Sequence, residues 1–127
     1  MNMTATLEKG LTAVEYFQAK LNYEMTPWTL KNMMDQKTPG YLVLDVRSAD
    51  QYKEGHIPGA MNLPLAELAA KMTKLPKDKT LVTYCGSITC GLAPKAALEL
   101  AHKGFKVMEL FGGIKEWTDK NFPIEKA

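Results

Sequence analysis

A buried strand that passes through a short loop into a helix constrains the fold of this 127-residue chain more than any other feature. Apolar and β-branched residues run from Leu81 to Tyr84, Cys85 follows, and small residues fill the loop 86–91 before an alanine-rich helical pattern begins. In open α/β sheets, such strand ends border the ligand crevice, and the next helix presents its N-terminus there. Free backbone N–H groups and the helix dipole would stabilise a thiolate at Cys85. The alternative interpretation is a buried thiol that only fills space.

The remaining chain alternates apolar strands with helical patterns. Besides the strand that ends at Cys85, we expect strands at 41–46, 61–63 and 105–111. We expect helices at 26–34, 48–54, 65–72, 92–103 and 114–121. Strands that alternate with helices predict an α/β fold with a mostly parallel sheet and helices on both faces.

An amphipathic helix is predicted within the first twenty-odd residues. Its apolar stripe consists of Leu11, Val14, Phe17 and Leu21. We expect this stripe to pack against its own domain, with a dimer contact as the alternative. A second helix should begin at Thr26 and Pro27 and turn Trp28 and Leu30 inward. We therefore divide the chain into an N-terminal helical extension, residues 1–24, and one domain, residues 25–127.

Composition limits the possible partners and cofactors. The net charge is +2, and acidic and basic residues are interspersed along the chain. We therefore expect no binding to nucleic acid or to an anionic membrane. Two cysteines do not form a disulfide framework, and their spacing to the histidines predicts no metal site and no cofactor. Neither a signal sequence nor a bilayer-spanning apolar run is found. We therefore expect a cytoplasmic protein in a reducing compartment.

Four stretches, 44–47, 52–64, 82–85 and 112–117, occur in the order typical of single-domain rhodaneses, and the chain resembles that family over about residues 25–124. The resemblance implies a rhodanese-like central sheet of about five strands. It also implies a sulfurtransferase in which Cys85 takes the outer sulfur of a small donor, thiosulfate or a persulfide, and passes it to a thiol or protein acceptor. The implied catalytic residue is Cys85, and the implied substrate-binding residues are Gly86, Ser87, Ile88, Thr89, Cys90 and Gly91. A monomer and a homodimer both remain open.

The loop departs from the common family pattern at one charged position. Many rhodaneses carry an arginine five residues after the nucleophile, whereas Cys90 stands there in this chain. No basic residue occurs in the loop 86–91, and Lys95 is the nearest cation in the sequence. The chain thus resembles a subgroup with two loop cysteines. We expect poor use of thiosulfate and better use of a persulfide or thiol donor.

Three further motif residues are predicted to have structural roles. Asp45 lies within an apolar strand and must find hydrogen-bond partners there. Arg47 follows that strand and should pair with an acid near the turn. His56 precedes a turn and should fix loop carbonyl groups rather than move protons.

Rival functions differ in how well they fit the loop. A cysteine phosphatase or arsenate reductase needs His-Cys-x5-Arg, but Tyr84 precedes the cysteine and Gly91 occupies the arginine position. A redox protein that closes a disulfide between Cys85 and Cys90 remains an alternative, with Cys90 as a candidate resolving thiol or a neutral loop filler. A binding module that kept the fold and lost the chemistry is the other alternative.

Overall fold

The computed structural model describes residues 10–127 and contains five strands and six α-helices in that range. The strands are β1 Glu24–Met25, β2 Tyr41–Asp45, β3 Met61–Asn62, β4 Thr80–Tyr84 and β5 Lys106–Leu110. The helices are α1 Ala13–Tyr23, α2 Pro27–Asp35, α3 Ala49–Glu54, α4 Leu65–Lys71, α5 Leu92–His102 and α6 Gly113–Asp119. Part of the predicted N-terminal extension, residues 1–9, lies outside the described residues.

The five strands form one parallel sheet in the order β1-β5-β4-β2-β3. Strands β2 and β4 align over their full length, from Tyr41 opposite Thr80 to Asp45 opposite Tyr84. The carboxyl ends of parallel strands meet at one edge of the sheet, and Cys85 follows β4 at that edge. The predicted fold class is confirmed.

Apolar side chains on both faces of the central strands produce two cores. On one face, Leu81 packs in a cluster with residues of α4 and α5. On the other face, Val82 and Tyr84 pack with Leu30 of α2 and Trp117 of α6. Since both faces are covered by helices, strands β2 and β4 are nearly continuous apolar runs rather than alternating ones.

Side-chain caps fix where several helices begin. Thr26 accepts a hydrogen bond from the backbone N–H of Thr29 at 3.2 Å and starts α2. The capping box predicted at Ser48 is present, with Ser48 accepting from the backbone N–H of Gln51 at 3.3 Å. These contacts satisfy backbone donors that the first helical turn leaves free.

Two expectations about apolar side chains were wrong. Trp28 does not face inward: it is 64% exposed and packs in a T-shaped arrangement with Phe122, because Leu30 takes the buried position of this short helix. The apolar stripe of α1 does not pack against its own domain, since Val14 is 79% and Leu21 77% exposed and no residue of α1 is buried. Helix α1 leads directly into the edge strand β1. It therefore lies beside the sheet rather than over the core.

The strand β1 was missed in the sequence because two residues give no periodicity to detect. No helix within residues 10–127 has both the length and the apolar character needed to cross a membrane.

Candidate active site

Cys85 is held at the carboxyl end of β4 by the first turn of α6. The backbone N–H of Ile114 donates to the Cys85 carbonyl at 2.9 Å, and that of Lys115 donates to the Gly86 carbonyl at 3.0 Å. This approach requires glycine at position 113, where φ is +62° and a Cβ atom would lie 2.3 Å from the Cys85 carbonyl oxygen. The Gly112-Gly113 pair therefore lets a distant helix lock the backbone of the thiol.

The loop 86–91 winds back over the Cys85 side chain. The N–H of Cys90 donates to the Ser87 carbonyl at 3.0 Å, and the Cys85 thiol donates to the Cys90 carbonyl at 3.5 Å. Ser87 and Thr89 share a hydroxyl hydrogen bond of 3.1 Å at the exposed tip. As a result, Cys85 is only 2% exposed, while Ile88 projects into solvent.

The start of α5 completes the loop. Gly91 is the residue before the helix, and the hydroxyl of Thr83 donates to the Ala93 carbonyl at 3.0 Å. This bond ties the strand to the first turn of the helix, so that both ends of the loop are fixed. All six loop residues that the resemblance implies for substrate binding thus lie between two anchored ends.

Burial first, and then the neighbouring Cys90 side chain, raise the pKa of the Cys85 thiol, which is about 11 once all influences are counted. The backbone N–H groups of Ala93 and Gly86 act in the opposite direction and lower it by a smaller amount. These amides favour the thiolate, as the sequence predicts, but desolvation outweighs them.

Cys90 behaves in the opposite way. Burial raises its pKa, but the neighbouring Cys85 side chain and the backbone of Leu92 and Gly86 outweigh that effect and leave the pKa below the ordinary value. Cys90 is also the more accessible of the two thiols. The first proton lost by the pair therefore leaves Cys90, while the Cys85 thiol donates its hydrogen bond to the Cys90 carbonyl.

A cleft of about 210 Å³ opens beside Cys85. Its walls include Ser87 and Ile88 of the loop, and Phe111 after β5. Three charged side chains also line it: Lys20, Glu24 and Glu109. The Lys20 ammonium group pairs with Glu24 at 2.8 Å.

Sequence reasoning missed all three of these charged residues. Lys95, which the sequence offers as the nearest cation, is absent from the described lining of the cleft, where Lys20 is the cation. The contact arises because β1 pairs with β5 and sets Glu24 beside Glu109. Only the four-residue spacing of Lys20 and Glu24 could have suggested their ion pair.

The motif residues Asp45 and Arg47 form a buried network behind the thiol. Asp45 accepts from the Arg47 guanidinium at 2.6 Å and from the Tyr84 hydroxyl at 2.7 Å. Arg47 also donates to the Gly55 carbonyl at 2.7 Å. Burial and the Asp45 charge hold the pKa of Tyr84 far above its ordinary value, so its hydroxyl stays a donor. This network fixes the residue that precedes Cys85 and lies outside the cleft.

His56 also lies outside the cleft. Its Nδ1 atom is 2.8 Å from the carbonyl of Tyr52, and its ring stacks on the Tyr52 ring at a centroid distance of 3.7 Å. Within the part of the chain that the structure describes, no group of three or more histidine, cysteine or acidic residues could hold a metal ion.

The chain is similar to known proteins over most of its length. A family model described as a rhodanese-like domain matches residues 26–120. The HTH-type transcriptional regulator Rv0324 of Mycobacterium tuberculosis is 35% identical over 100 residues, which are 78% of this chain and 44% of that protein. A sulfurtransferase of Allochromatium vinosum is 33% identical over 88 residues, which are 68% of this chain and 80% of that protein.

A solved structure agrees with these relatives. The BH2092 protein of Bacillus halodurans superposes with a TM-score of 0.85 and 39% identity, covering 90% of this chain and 84% of that one. The chain spans less than half the length of two of the curated relatives, Rv0324 and a tRNA sulfurtransferase of Desulfurococcus amylolyticus.

Proposed function

The chain belongs to the rhodanese-like family, and on this premise we propose that it is a sulfurtransferase that carries a sulfane sulfur as a persulfide on Cys85. One observation carries the proposal: Cys85 follows the central strand β4, its backbone is locked by α6, and it is one of the residues that line a cleft of about 210 Å³. The Allochromatium vinosum relative named as a sulfurtransferase is spanned by this chain over 80% of its length, which supports the same activity.

The proposed transfer consists of two displacements at sulfur. The Cys85 thiolate attacks the outer sulfur of the donor, the bond between the two donor sulfurs breaks, and the leaving group takes the electron pair. An acceptor thiolate then attacks the outer sulfur of the persulfide and releases the Cys85 thiolate. Splitting the transfer in this way is covalent catalysis, for which ping-pong kinetics are expected.

Cys90 supplies the first proton acceptor in this scheme. Its thiolate forms before that of Cys85, and the Cys85 thiol is held against the same residue by its hydrogen bond to the Cys90 carbonyl. Proton transfer from Cys85 to Cys90 then generates the nucleophile as the donor enters. The persulfide that follows lies against the Gly86 and Ala93 backbone N–H groups, which stabilise its anionic form.

Mass spectrometry after donor exposure tests the proposal. Wild-type protein and Cys90→Ser should each gain one sulfur, which a thiol reductant removes, and peptide mapping should place it on residue 85. Cys85→Ser should gain none and should not turn over the donor. A stable added sulfur on Cys85→Ser, together with turnover, would falsify the assignment.

A redox dithiol is the second candidate function, and the contact of the Cys85 thiol with Cys90 favours it. In that case peroxide would oxidise Cys85 to a sulfenic acid, and the Cys90 thiolate would attack that sulfur. The S–O bond would break, hydroxide would leave and be protonated to water, and an intramolecular disulfide would form. Peroxide treatment followed by non-reducing peptide mapping separates the two roles. A crosslink shows Cys90 to be a resolving thiol, and overoxidised Cys85 beside free Cys90 excludes that role.

The division of the chain is a further part of the proposal. The family match begins at residue 26, and we propose that residues 1–24 are an extension to a rhodanese domain at residues 25–127. Lys20 and Glu24 of this extension nevertheless reach the cleft.

A further inference from the structure

Two carboxylates stand side by side at the mouth of the catalytic cleft. In the register of β1 and β5, Glu24 lies opposite Glu109, and both side chains line the cleft beside Cys85. Burial and then the Glu24 charge raise the pKa of Glu109. Within residues 10–127 no side chain forms an ion pair with Glu109. This carboxylate would therefore gain from a cationic group that enters the cleft.

One cation, Lys20, lines the cleft together with these two carboxylates. The Lys20 ammonium group lies 2.8 Å from Glu24 and 5.9 Å from the centroid of the Phe111 ring. Its hydrogen bond to Glu24 raises its pKa, as does the charge of Glu109, so it stays protonated. The Lys20 side chain is 43% exposed and can turn toward an incoming anion.

This charge pattern disfavours a dianion and suits a zwitterion. Thiosulfate would meet two carboxylates and a single ammonium group, with no basic residue in the loop 86–91 to offset them. An α-amino acid carries one ammonium and one carboxylate group, which match the pair of acids and the lysine. Arrangements of opposite charge favour the matching ligand and reject the like-charged one.

The size of the cleft also favours a small donor. A volume of about 210 Å³ lies below the roughly 300–1,000 Å³ of pockets that enclose drug-sized ligands. It suits a donor of the size of a single amino acid.

We propose that the sulfur donor is the hydropersulfide of a cysteine-type amino acid, which binds through its ammonium group to Glu109 and Glu24 and through its carboxylate to Lys20. This inference rests on the proposed role of Cys85. Cys85 attacks the outer sulfur, the donor's S–S bond breaks, and free cysteine leaves as a thiolate that takes up the proton lost by Cys85. One sulfur atom moves, and no external oxidant or reductant is needed.

Three hydropersulfides test the inference: those of cysteine, of N-acetylcysteine, which lacks the ammonium group, and of cysteamine, which lacks the carboxylate. The rate at which each adds one sulfur to Cys85 is followed by mass spectrometry. Wild-type protein should load from cysteine hydropersulfide about tenfold faster than from either analogue, as the loss of one charge-assisted contact predicts.

The variants should remove these preferences one at a time. Glu109→Gln should reduce the preference over N-acetylcysteine and keep the preference over cysteamine, and Lys20→Gln should do the reverse. Glu24→Gln, which removes the second carboxylate, should also reduce the preference over N-acetylcysteine, and the double variant should abolish it. Glu67→Gln on α4, whose partner is Lys71 outside the cleft, is the matched control that should keep both preferences. Each variant's retained preference shows that its site is still assembled.

Two results would overturn the inference while leaving the proposed function intact. One is equal loading of the wild-type protein from all three donors. The other is a set of preferences that Glu109→Gln and Lys20→Gln leave unchanged. Failure of every donor, thiosulfate included, to load Cys85 would instead remove the proposed function itself.

Discussion

The two loop cysteines have different acidities although they are neighbours. Cys85 is enclosed by the loop and loses hydration, which costs its thiolate more than the Ala93 and Gly86 amides return. Cys90 lies nearer to solvent, and the Cys85 side chain and the backbone of Leu92 and Gly86 lower its pKa by more than burial raises it. A helix N-terminus alone is thus insufficient to make a buried cysteine acidic.

Timed alkylation with iodoacetamide should therefore label Cys90 before Cys85 at neutral pH. Only the thiolate reacts, so labelling of Cys85 should rise about tenfold for each pH unit until the pH approaches its pKa of about 11. In Cys90→Ser the Cys90 thiol no longer contributes to the raised pKa of Cys85. The curve of Cys85 labelling against pH should therefore shift to lower pH. Peptide mapping across a pH series measures both residues, and faster labelling of Cys85 in the wild-type protein would contradict the assignment.

Residue-level prediction succeeded where the sequence itself carries the signal. The local sequence pattern predicts that a strand ends at Cys85. The cost of burying a charge predicts that Arg47 pairs with an acid, which is Asp45 in the structure. Glu109 and Glu24 could not be found in this way, because they are distant in the chain and meet only through strand pairing.

At the scale of elements, α6 acts on the site through its first turn. Its amides bind the carbonyl groups of Cys85 and Gly86, which sets the direction in which the loop leaves β4. Sequence reasoning identified Gly112-Gly113 only as a turn. The close approach it permits depends on where α6 returns to the sheet.

Gly113→Ala should therefore damage the site as well as the stability. The added Cβ would lie 2.3 Å from the Cys85 carbonyl oxygen at a φ of +62°, so the loop must move. We expect a loss of about 2–3 kcal/mol in the free energy of unfolding, by urea denaturation, and a loss of at least tenfold in Cys85 persulfide formation.

Gly40→Ala is the matched control for that variant. Gly40 also has a positive φ, +90°, but an added Cβ would contact nothing within 4 Å. Its cost should be about 1 kcal/mol with no change in persulfide formation. Equal effects of the two variants would show that backbone strain, rather than the clash at Cys85, explains the first result.

Helices and strands were predicted well where periodicity or caps were strong. The helix α3 begins just after Ser48, within the predicted range 48–54, and α5 and β5 also lie within their predicted ranges. The position of α1 was not predictable, since an apolar stripe does not say which surface it would cover. In the structure its stripe is exposed, and Lys20 of α1 and Glu24 of β1 reach the cleft instead.

For the whole molecule, the order of strands brings three separate regions to one edge. The central strand β4 supplies the thiol, β5 supplies Glu109, and the edge strand β1 brings the N-terminal helix beside them. The parallel α/β fold was predictable from the alternation of strands and helices. The charge of the cleft was not, because it depends on the pairing of β1 with β5.

Thiosulfate turnover should respond to the charge of this edge as a whole. Cys90→Arg or Thr89→Arg adds a cation to the loop, and Glu109→Gln removes an anion from the opposite wall, so each should lower the KM for thiosulfate by roughly fivefold to tenfold. Initial rates over a range of thiosulfate concentrations measure this.

Cys90→Arg combined with Glu109→Gln should give nearly the product of the two effects if the residues act independently on the bound dianion. The exposed Glu67→Gln, paired with Lys71 on α4, should leave the KM unchanged. An unchanged KM in both arginine variants would show that the backbone amides of the loop already bind thiosulfate adequately. An unchanged KM in Glu109→Gln would show that this carboxylate does not face the donor. Glu109 would then have no role in selecting substrates.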